Sequence, residues 1–204
     1  LKHGFADRAH HMGDPDFVEV PVERLLSDDR IQTIRGAFLE QRTLSTSSYG
    51  EPIAPPRDEG TQHISVLDAA GGAVALTTTI NTSFGSGVVV DGTGLILNNE
   101  MDDFVAAPGV PNAYGLIGNA SNAVAPGKRP LSSMSPTVVL DAEGQVVMVA
   151  GASGGSHIIS STLQVILSVL EFGMDPQEAV AATRFHHQWQ PETLWLEPSV
   201  PMDV

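Results

Sequence analysis

Alternating apolar and polar positions predict two β-hairpins that share one plan. Residues 65–76 read as strand, turn and strand, with the turn at 69–72. Residues 138–149 repeat this arrangement around a turn at 142–144. An Asp begins each turn, and Gly supplies the positive φ that such turns require. The pattern therefore predicts two antiparallel strand pairs.

Helical periodicity appears before and after these hairpins. Residues 1–32 look helical, with a break at 13–16 and a second helix near Val22–Arg35. Gly154-Gly155-Ser156 opens a helix to about Gly173, and Pro176 starts another to about Thr183. The apolar residues of the longer helix lie mostly on one face: Ile158, Ile159, Leu163, Ile166, Leu167 and Leu170. Hairpins followed by helices predict an α+β fold with layered sheets and helices packed outside.

A polar segment separates the first helices from the strands. Residues 43–60 are rich in Ser, Pro and Gly, which suits an exposed and cleavable loop. The chain is expected to be a fragment of a longer precursor, because its first residues look like the middle of a helix. No signal segment is visible.

Composition narrows the possible functions. The chain has 204 residues, of which 42% are hydrophobic and 17% charged, as in globular proteins. It contains no cysteine, so disulfides, thiolate metal sites and Cys nucleophiles are excluded. A formal net charge of −14 argues against a nucleic-acid partner. The apolar-rich stretch from Ile158 to Phe172 is too short and too polar to span a bilayer.

Thr61 is the first candidate for chemistry, because it follows Gly60 and opens the strand 61–68. Cleavage of the Gly60–Thr61 bond would place a hydroxyl nucleophile and an α-amine base on one residue. Before cleavage, the hydroxyl could attack the Gly60 carbonyl, which no side chain shields. The alternative is an ordinary strand Thr, which β-propensity favours.

Gly154 and Gly155 are candidates for an oxyanion hole. Without Cβ atoms their backbone N–H groups can approach a ligand closely, and the helix that follows adds a positive N-terminal dipole. The alternatives are a tight strand–helix turn or a phosphate-binding loop. A phosphate loop would need the Lys and Ser/Thr of a Walker motif, which are absent here.

Five segments in order resemble the γ-glutamyltranspeptidase family of the N-terminal-nucleophile hydrolase superfamily, from about Ala6 to Trp189. They are Thr77 to Gly85, Leu97 to Phe104, Arg129 to Pro136, Gly151 to Ser156 and Arg184 to Trp189. The resemblance implies a four-layer αββα sandwich, present here in part. It also implies that residues 1–60 are the end of a large subunit plus linker, and that 61–204 are a catalytic small subunit, truncated at its C-terminus.

The resemblance assigns roles to residues near the nucleophile. Thr79 matches the family's second Thr and would hydrogen-bond the Thr61 hydroxyl. Asn81 would bind the head group of an α-amino acid; two residues after Thr79, it would face the same side of a strand. Tyr114 lies in a segment that resembles the family's lid loop and would hydrogen-bond toward Asn81. The alternatives are strand filling for Thr79, a turn for Asn81 and a packing anchor for Tyr114.

The resemblance also implies a binding site for the two charged groups of a substrate head group. Glu100 and Asp103 would clamp the α-ammonium, although Asp102 could exchange roles with a neighbour. Ser132 and Ser133 would bind the α-carboxylate. The alternatives are a solvated acidic loop or a cation site for the acids, and a turn before Pro136 for the serines.

The expected activity is that of an autoprocessed γ-glutamyltransferase and glutathione hydrolase, made as a zymogen. Its donors would be glutathione or other γ-glutamyl compounds, and its acceptors would be water or the amine of an amino acid or peptide. Two alternatives stay open. One is a related acylase for cephalosporin side chains or poly-γ-glutamate. The other is an unprocessed, inactive homologue that serves as a binding module.

No metal or cofactor is expected. The spacings of His63, His157, His186 and His187 fit no recognised zinc motif, and members of the family act without one. A Ser–His–Asp triad lacks the Gly-x-Ser-x-Gly elbow. His63 is expected to contact the residues of the site rather than the substrate, and His186-His187 are expected to be structural. The family implies a periplasmic, secreted or cell-surface location, and the large subunit of the same precursor as partner.

Overall fold

The computed structural model describes residues 1–40 and 60–199, which fall into two compact units. The described residues of unit 1 are 1–40, 101–131 and 187–193, and those of unit 2 are 60–100, 132–186 and 194–199. The predicted linker lies outside the described residues, except for Gly60. The predicted division into 1–60 and 61–204 concerns a cleavage, which these units do not test, so it stays a prediction.

Unit 1 is built around helix α1, Lys2–His11. The helix buries four residues on one side: Phe5, Ala6, Arg8 and Ala9. The other buried apolar residues of the unit come from later segments: Phe104, Val105, Tyr114, Leu116 and Trp189. After α1 the buried carboxylate of Asp14 accepts a hydrogen bond from the backbone N–H of Arg129 at 2.8 Å and one from its guanidinium at 2.6 Å. This ion pair joins the turn after α1 to the segment before Ser132.

The predicted helix near Val22–Arg35 is two helices, so that prediction was wrong in its continuity. Helix α2 comprises Val22–Leu25, and helix α3 comprises Asp28–Gly36. Ser27 separates them because its hydroxyl accepts a hydrogen bond from the backbone N–H of Arg30 at 3.2 Å. A serine that satisfies an N–H of the first turn begins a new helix there.

Unit 2 contains the predicted hairpins. Strand β1, Thr61–Leu67, pairs with β2, Ala73–Thr79, in an antiparallel register that places Thr61 opposite Thr79. Strand β3, Thr137–Leu140, pairs in the same sense with β4, Val146–Ala150. The two hairpins contact each other, chiefly through β2 and β4. A third, short ladder joins β5, Phe185–His186, to β6, Trp195–Leu196.

The shared plan of the turns is confirmed. In the first turn Oδ1 of Asp68 accepts from the backbone N–H groups of Ala70 and Gly72, at 2.8 and 2.7 Å. In the second, Oδ1 of Asp141 accepts from those of Glu143 and Gln145, at 3.0 and 2.8 Å. Gly71 and Gly144 supply the positive φ, at +89° and +78°. An aspartate that holds its own turn therefore sets the register of each hairpin.

Two helices follow the second hairpin. Helix α4, His157–Leu170, contacts β4, and helix α5, Pro176–Ala181, contacts α4. The apolar face of α4 is not fully buried, because Leu163, Leu167 and Leu170 are exposed. The residues that α4 buries are Ile158, Ser160 and Thr162. In the described part of the chain, none of the helices has the length and apolar character needed to cross a membrane.

Candidate active site

Thr61 and Thr79 face each other at the open end of the first hairpin. Their Oγ1 atoms lie 3.0 Å apart, in the contact that the sequence reading expected. The Thr79 hydroxyl also donates to the carbonyl oxygen of Gly60 at 3.1 Å and accepts from the backbone N–H of Asn81 at 2.8 Å. One hydroxyl therefore touches both the proposed nucleophile and the carbonyl of the bond proposed to break.

These contacts fix the direction of the hydrogen bonds. A threonine hydroxyl has one hydrogen to donate and two lone pairs to accept with. The hydrogen of Thr79 goes to the Gly60 carbonyl, so the Thr61 hydroxyl is the donor in the bond between the two oxygens. The Thr61 oxygen keeps its lone pairs, and the Gly60 carbonyl is polarised. Both effects favour attack of Thr61 on the preceding peptide bond.

Asn81 is arranged differently from the expectation. It lies beyond the end of β2 and has a φ of +77°, so the prediction that it faces the same side of a strand as Thr79 was wrong. Asn tolerates this left-handed conformation better than most residues. Its side-chain amide donates to the carbonyl oxygen of Asn99 at 3.0 Å. Asn81 is thus a turn residue, and its role in binding the head group stays a prediction.

The loop after β4 holds the two candidate oxyanion-hole glycines. Gly154 has a φ of +120° and Gly155 a φ of +54°. Side-chain-bearing residues rarely adopt such values, so the backbone conformation itself requires glycine here. Their carbonyl oxygens accept from the N–H groups of His157 and Ile158, at 3.0 and 3.1 Å, as α4 begins. The loop thus stands at the positive end of a helix of 14 residues.

His63 links this loop to the strand of Thr61. It lies two residues after Thr61 on β1, and so on the same face of the strand. Its Nδ1 is 2.8 Å from the Thr77 hydroxyl, which holds the ring across the hairpin. A Cβ on Gly151 would lie only 2.2 Å from that ring nitrogen. The segment that leads to Gly154 therefore passes against the face of β1 that carries Thr61.

The acidic residues of the predicted clamp lie in a short 3₁₀ helix, Glu100–Asp103. Asp103 is buried whereas Asp102 is exposed, so burial distinguishes the two candidates that the sequence left interchangeable. Glu100 is half-buried, and its backbone N–H donates to the side chain of Asn98 at 3.0 Å. The binding roles of Glu100 and Asp103 stay predictions.

The serine pair and Tyr114 also occupy defined positions. Ser132 is exposed, and its hydroxyl oxygen accepts from the backbone N–H of Met134 at 3.0 Å. The carbonyl oxygen of Ser133 accepts from the Ser135 hydroxyl at 3.1 Å. Tyr114 belongs to unit 1 and is buried. Its predicted contact with Asn81, a residue of unit 2, stays a prediction, as does carboxylate binding by the serines.

His157 and His186 form a stack rather than a set of metal ligands. The rings of His157 and His186 lie 3.9 Å apart between centroids, and Trp195 lies beside both. Nδ1 of the buried His186 is 2.7 Å from the hydroxyl of Ser160. Within residues 1–40 and 60–199, no group of three or more His, Cys, Asp or Glu side chains is arranged to hold a metal ion.

Three polar residues that hydrogen-bond to predicted site residues or to their chain neighbours were not singled out from the sequence. Asn99 accepts from the Thr82 hydroxyl at 3.2 Å and receives the Asn81 amide on its carbonyl. Buried Asn122 bonds to the backbone of Asp103, and buried Arg8 bonds to the backbone before Ser132. Burial lowers the pKa of Arg8 to about 10, against the opposing effect of nearby Asp103. Of these three residues, only Arg8 could have been noticed in the sequence, because it lies on an otherwise apolar face of its helix.

Comparison with known proteins decides the family. The family model described as Gamma-glutamyltranspeptidase matches residues 1–204. The chain belongs to this family. It is 46% identical over 204 residues to the glutathione hydrolase proenzyme of Escherichia coli strain K12, which covers 100% of the chain and 35% of that protein. The chain spans about a third of the length of the curated relatives it matches.

Solved structures agree with this assignment. A mutant of gamma-glutamyltranspeptidase from Helicobacter pylori is 52% identical, with a TM-score of 0.67 over 70% of this chain and 76% of that chain. A cephalosporin acylase from Bacillus halodurans is 27% identical, with a TM-score of 0.77 over 99% of this chain and 34% of that one. These neighbours confirm the α+β fold of the N-terminal-nucleophile hydrolase type, of which this chain is a part.

Proposed function

We propose that the full-length protein carrying this chain cleaves its own Gly60–Thr61 bond and then acts as a γ-glutamyltransferase and glutathione hydrolase. The observation that carries this proposal is the hydroxyl of Thr79, placed between Oγ1 of Thr61 and the carbonyl oxygen of Gly60. The name of the Escherichia coli relative, a glutathione hydrolase proenzyme, supports both steps.

In the first step Oγ1 of Thr61 attacks the carbonyl carbon of Gly60, while the Thr79 hydroxyl donates to the carbonyl oxygen. The C–N bond breaks, the hydrogen of the Thr61 hydroxyl is transferred to the Thr61 nitrogen, and the glycyl group is left as an ester on Oγ1. Water then hydrolyses this ester. The products are a carboxylate at Gly60 and a free α-amine on Thr61, whose ordinary pKa of about 8 suits a general base near neutral pH.

In the second step the same oxygen attacks the γ-amide carbon of a γ-glutamyl donor. The Thr61 amine takes the hydroxyl proton and passes it to the departing amine. Backbone N–H groups of Gly154 and Gly155 stabilise the oxyanion, and each such donor contributes roughly 10²–10³ in rate. The γ-glutamyl ester on Thr61 then passes to water or to the amine of an amino acid or peptide.

Sequencing of the protein's own fragments tests the first step. We expect the smaller fragment of the mature full-length protein to begin at Thr61, and Thr61→Ala to remain uncut and inactive. Thr78→Ala serves as the matched control, because Thr78 is the exposed neighbour of Thr79 on β2. A Thr61→Ala protein that matures and releases 4-nitroaniline from γ-glutamyl-4-nitroanilide would contradict the proposal.

A related acylase is the second candidate, favoured by the likeness to the cephalosporin acylase along nearly the whole chain. Glutaryl-4-nitroanilide differs from γ-glutamyl-4-nitroanilide only in lacking the α-ammonium group. An acylase would prefer the glutaryl compound, whereas a γ-glutamyltransferase would prefer the γ-glutamyl one. A full-length protein that stays intact after long incubation, as measured by mass spectrometry, would instead indicate an inactive binding module.

A further inference from the structure

The side chain of Asn122 connects two backbone segments of unit 1. Its Nδ2 donates to the carbonyl oxygen of Asp103 at 2.8 Å, and its Oδ1 accepts from the backbone N–H of Leu131 at 3.0 Å. The residue is only 5% exposed. One partner is an acceptor and the other a donor, so the amide fits in one orientation only. Asn122 therefore sets the distance between the peptides of Asp103 and Leu131.

The Leu131 peptide is also held from its other side. The guanidinium of Arg8 donates to the Leu131 carbonyl oxygen at 3.1 Å. Arg8 is itself buried in α1, so its position is fixed by packing. Side chains thus hold both the N–H and the C=O of Leu131, the residue that precedes Ser132. This double anchoring restricts where the serine pair begins.

The Asp103 peptide is a junction for a third segment. Its carbonyl oxygen also accepts from the side-chain amide of Asn112, at 3.3 Å. Oδ1 of Asn112 in turn accepts from the backbone N–H groups of Tyr114 and Leu116, both at 3.0 Å. The loop that carries Tyr114 is thereby tied to the same atom as Asn122. Two asparagine amides converge on one carbonyl next to a carboxylate in the predicted clamp.

We propose that Asn122 is a positioning residue for an α-amino acid head group, because it holds the peptide of Asp103 and the peptide of Leu131, from which the chain continues into Ser132, at a fixed spacing. This inference rests on the proposed function and on the roles predicted from the sequence, in which Asp103 binds the α-ammonium and Ser132-Ser133 bind the α-carboxylate. In an α-amino acid both groups are attached to one carbon atom. Their binding groups must therefore be held to within about 0.5 Å, which needs a rigid connection behind them.

Three acyl donors that differ only in the head group test this proposal. γ-Glutamyl-4-nitroanilide has both charged groups, glutaryl-4-nitroanilide lacks the α-ammonium, and 4-aminobutyryl-4-nitroanilide lacks the α-carboxylate. In the full-length protein, we expect Asn122→Ala to lower kcat/KM for the γ-glutamyl donor by about 10²-fold, the cost of misplacing a group by roughly 1 Å. For the two truncated donors, we expect a decrease of less than about 3-fold, because they engage only one segment.

A merely structural role would reduce kcat/KM for all three donors by the same factor, and that result would overturn the proposal. Asp7→Ala provides the control, because Asp7 bonds to Arg30 and joins α1 to α3 without touching Asp103 or Leu131. It should reduce stability but leave the ratios between donors unchanged. Asn122→Asp is the second test variant if Asn122→Ala fails to fold. It has the same shape and keeps the acceptor for Leu131, but it loses the donor to Asp103.

The outcomes distinguish this inference from the proposed function. A wild-type protein that releases no 4-nitroaniline from the γ-glutamyl donor contradicts the proposed function itself. An active wild type combined with unchanged donor ratios in both Asn122 variants contradicts only the positioning role. If neither variant matures while Asp7→Ala does, Asn122 serves folding alone and the proposal is rejected.

Discussion

The hydroxyl oxygens of Thr61 and Thr79 lie 3.0 Å apart because the two residues are paired across the first hairpin. This pairing also brings Thr79 to the Gly60 carbonyl. The Asp68 turn at the other end of the hairpin fixes that register. A one-residue slip would turn the Thr79 side chain to the opposite face and remove both contacts.

Thr79→Val should therefore slow cleavage of the Gly60–Thr61 bond. Valine has nearly the same shape but cannot donate to the Gly60 carbonyl or accept from Thr61. Loss of one donor to a developing oxyanion costs about 10²–10³ in rate. The fraction of cut precursor, followed on gels over time, measures this effect.

Thr79→Ser should restore part of the rate, and Thr78→Val should cleave normally. Equal cleavage in the Thr79 and Thr78 valine variants would show that the hydroxyl is dispensable.

Gly154→Ala should lower kcat more than it changes KM. A Cβ at this position would lie 3.7 Å from that of His157, an ordinary contact, so lack of space is not the obstacle. The φ of +120° is the obstacle, because a side chain there costs about 1–3 kcal/mol unless the loop moves. Steady-state kinetics with γ-glutamyl-4-nitroanilide should show kcat lower by about 10² as the proposed oxyanion donors shift.

Gly144→Ala is the matched control for Gly154→Ala. It imposes a similar strain, at a φ of +78°, in the open turn of the second hairpin. We expect this variant to lose stability and keep kcat. If both variants lose kcat equally, then general destabilisation rather than the oxyanion loop explains the effect.

The hairpins and the position of Thr61 at the start of a strand could be predicted from the sequence because their determinants are local. Asp68 and Asp141 specify their turns through contacts two to four residues away. The break in the second helix was missed because a capping serine competes with an apolar periodicity that continues through it. Ser27 wins because its hydroxyl satisfies an otherwise unbonded N–H of the first turn of α3.

The supporting residues of the candidate site could not be predicted, because their partners are distant in sequence. Arg8 lies 123 residues from Leu131, and Asn122 lies 19 residues from Asp103. No spacing rule connects such pairs. Asn81 was misjudged for the opposite reason. The prediction extended β2 two residues beyond its end at Thr79. Asn81 instead adopts the left-handed conformation of the turn that follows β2, which an Asn tolerates well.

The ion pair of Asp14 with Arg129 should stabilise the protein in a pH-dependent way. The hydrogen bonds from the side chain and backbone of Arg129 hold the pKa of Asp14 well below its usual range. In the unfolded chain the carboxyl titrates near its ordinary pKa of about 4. The stabilisation is therefore complete above that pH and is lost as the pH falls toward the lower pKa of the folded state.

Thermal unfolding of wild type and Asp14→Asn across pH 3 to 7 measures this contribution. We expect the Tm difference to be largest near neutral pH and to shrink as the pH falls below about 4. Asp16→Asn is the control, because Asp16 also bonds to Arg129 but has an exposed side chain. A Tm difference for Asp14→Asn that stays constant over this range would contradict the assignment.

Ser160→Ala should destabilise unit 2. Ser160 is fully buried, and its hydroxyl bridges the carbonyl oxygen of His157 and Nδ1 of His186. Removal leaves a buried imidazole nitrogen without this partner, at a cost of about 1–3 kcal/mol. Chemical denaturation of the full-length protein measures the change, with the half-buried Ser161→Ala as control. Equal midpoints for the two variants would show that the bridge contributes little.

The single hydrogen of the Thr79 hydroxyl has a further consequence. While the chain is uncut, that hydrogen belongs to the Gly60 carbonyl. In the proposed scheme this carbonyl departs with the released segment, and the hydrogen becomes available to the new amine or to the Thr61 oxygen. Each molecule would then change once and irreversibly from cleaving its own chain to acting on other molecules. The same side chains, Thr61 and Thr79, would serve both reactions.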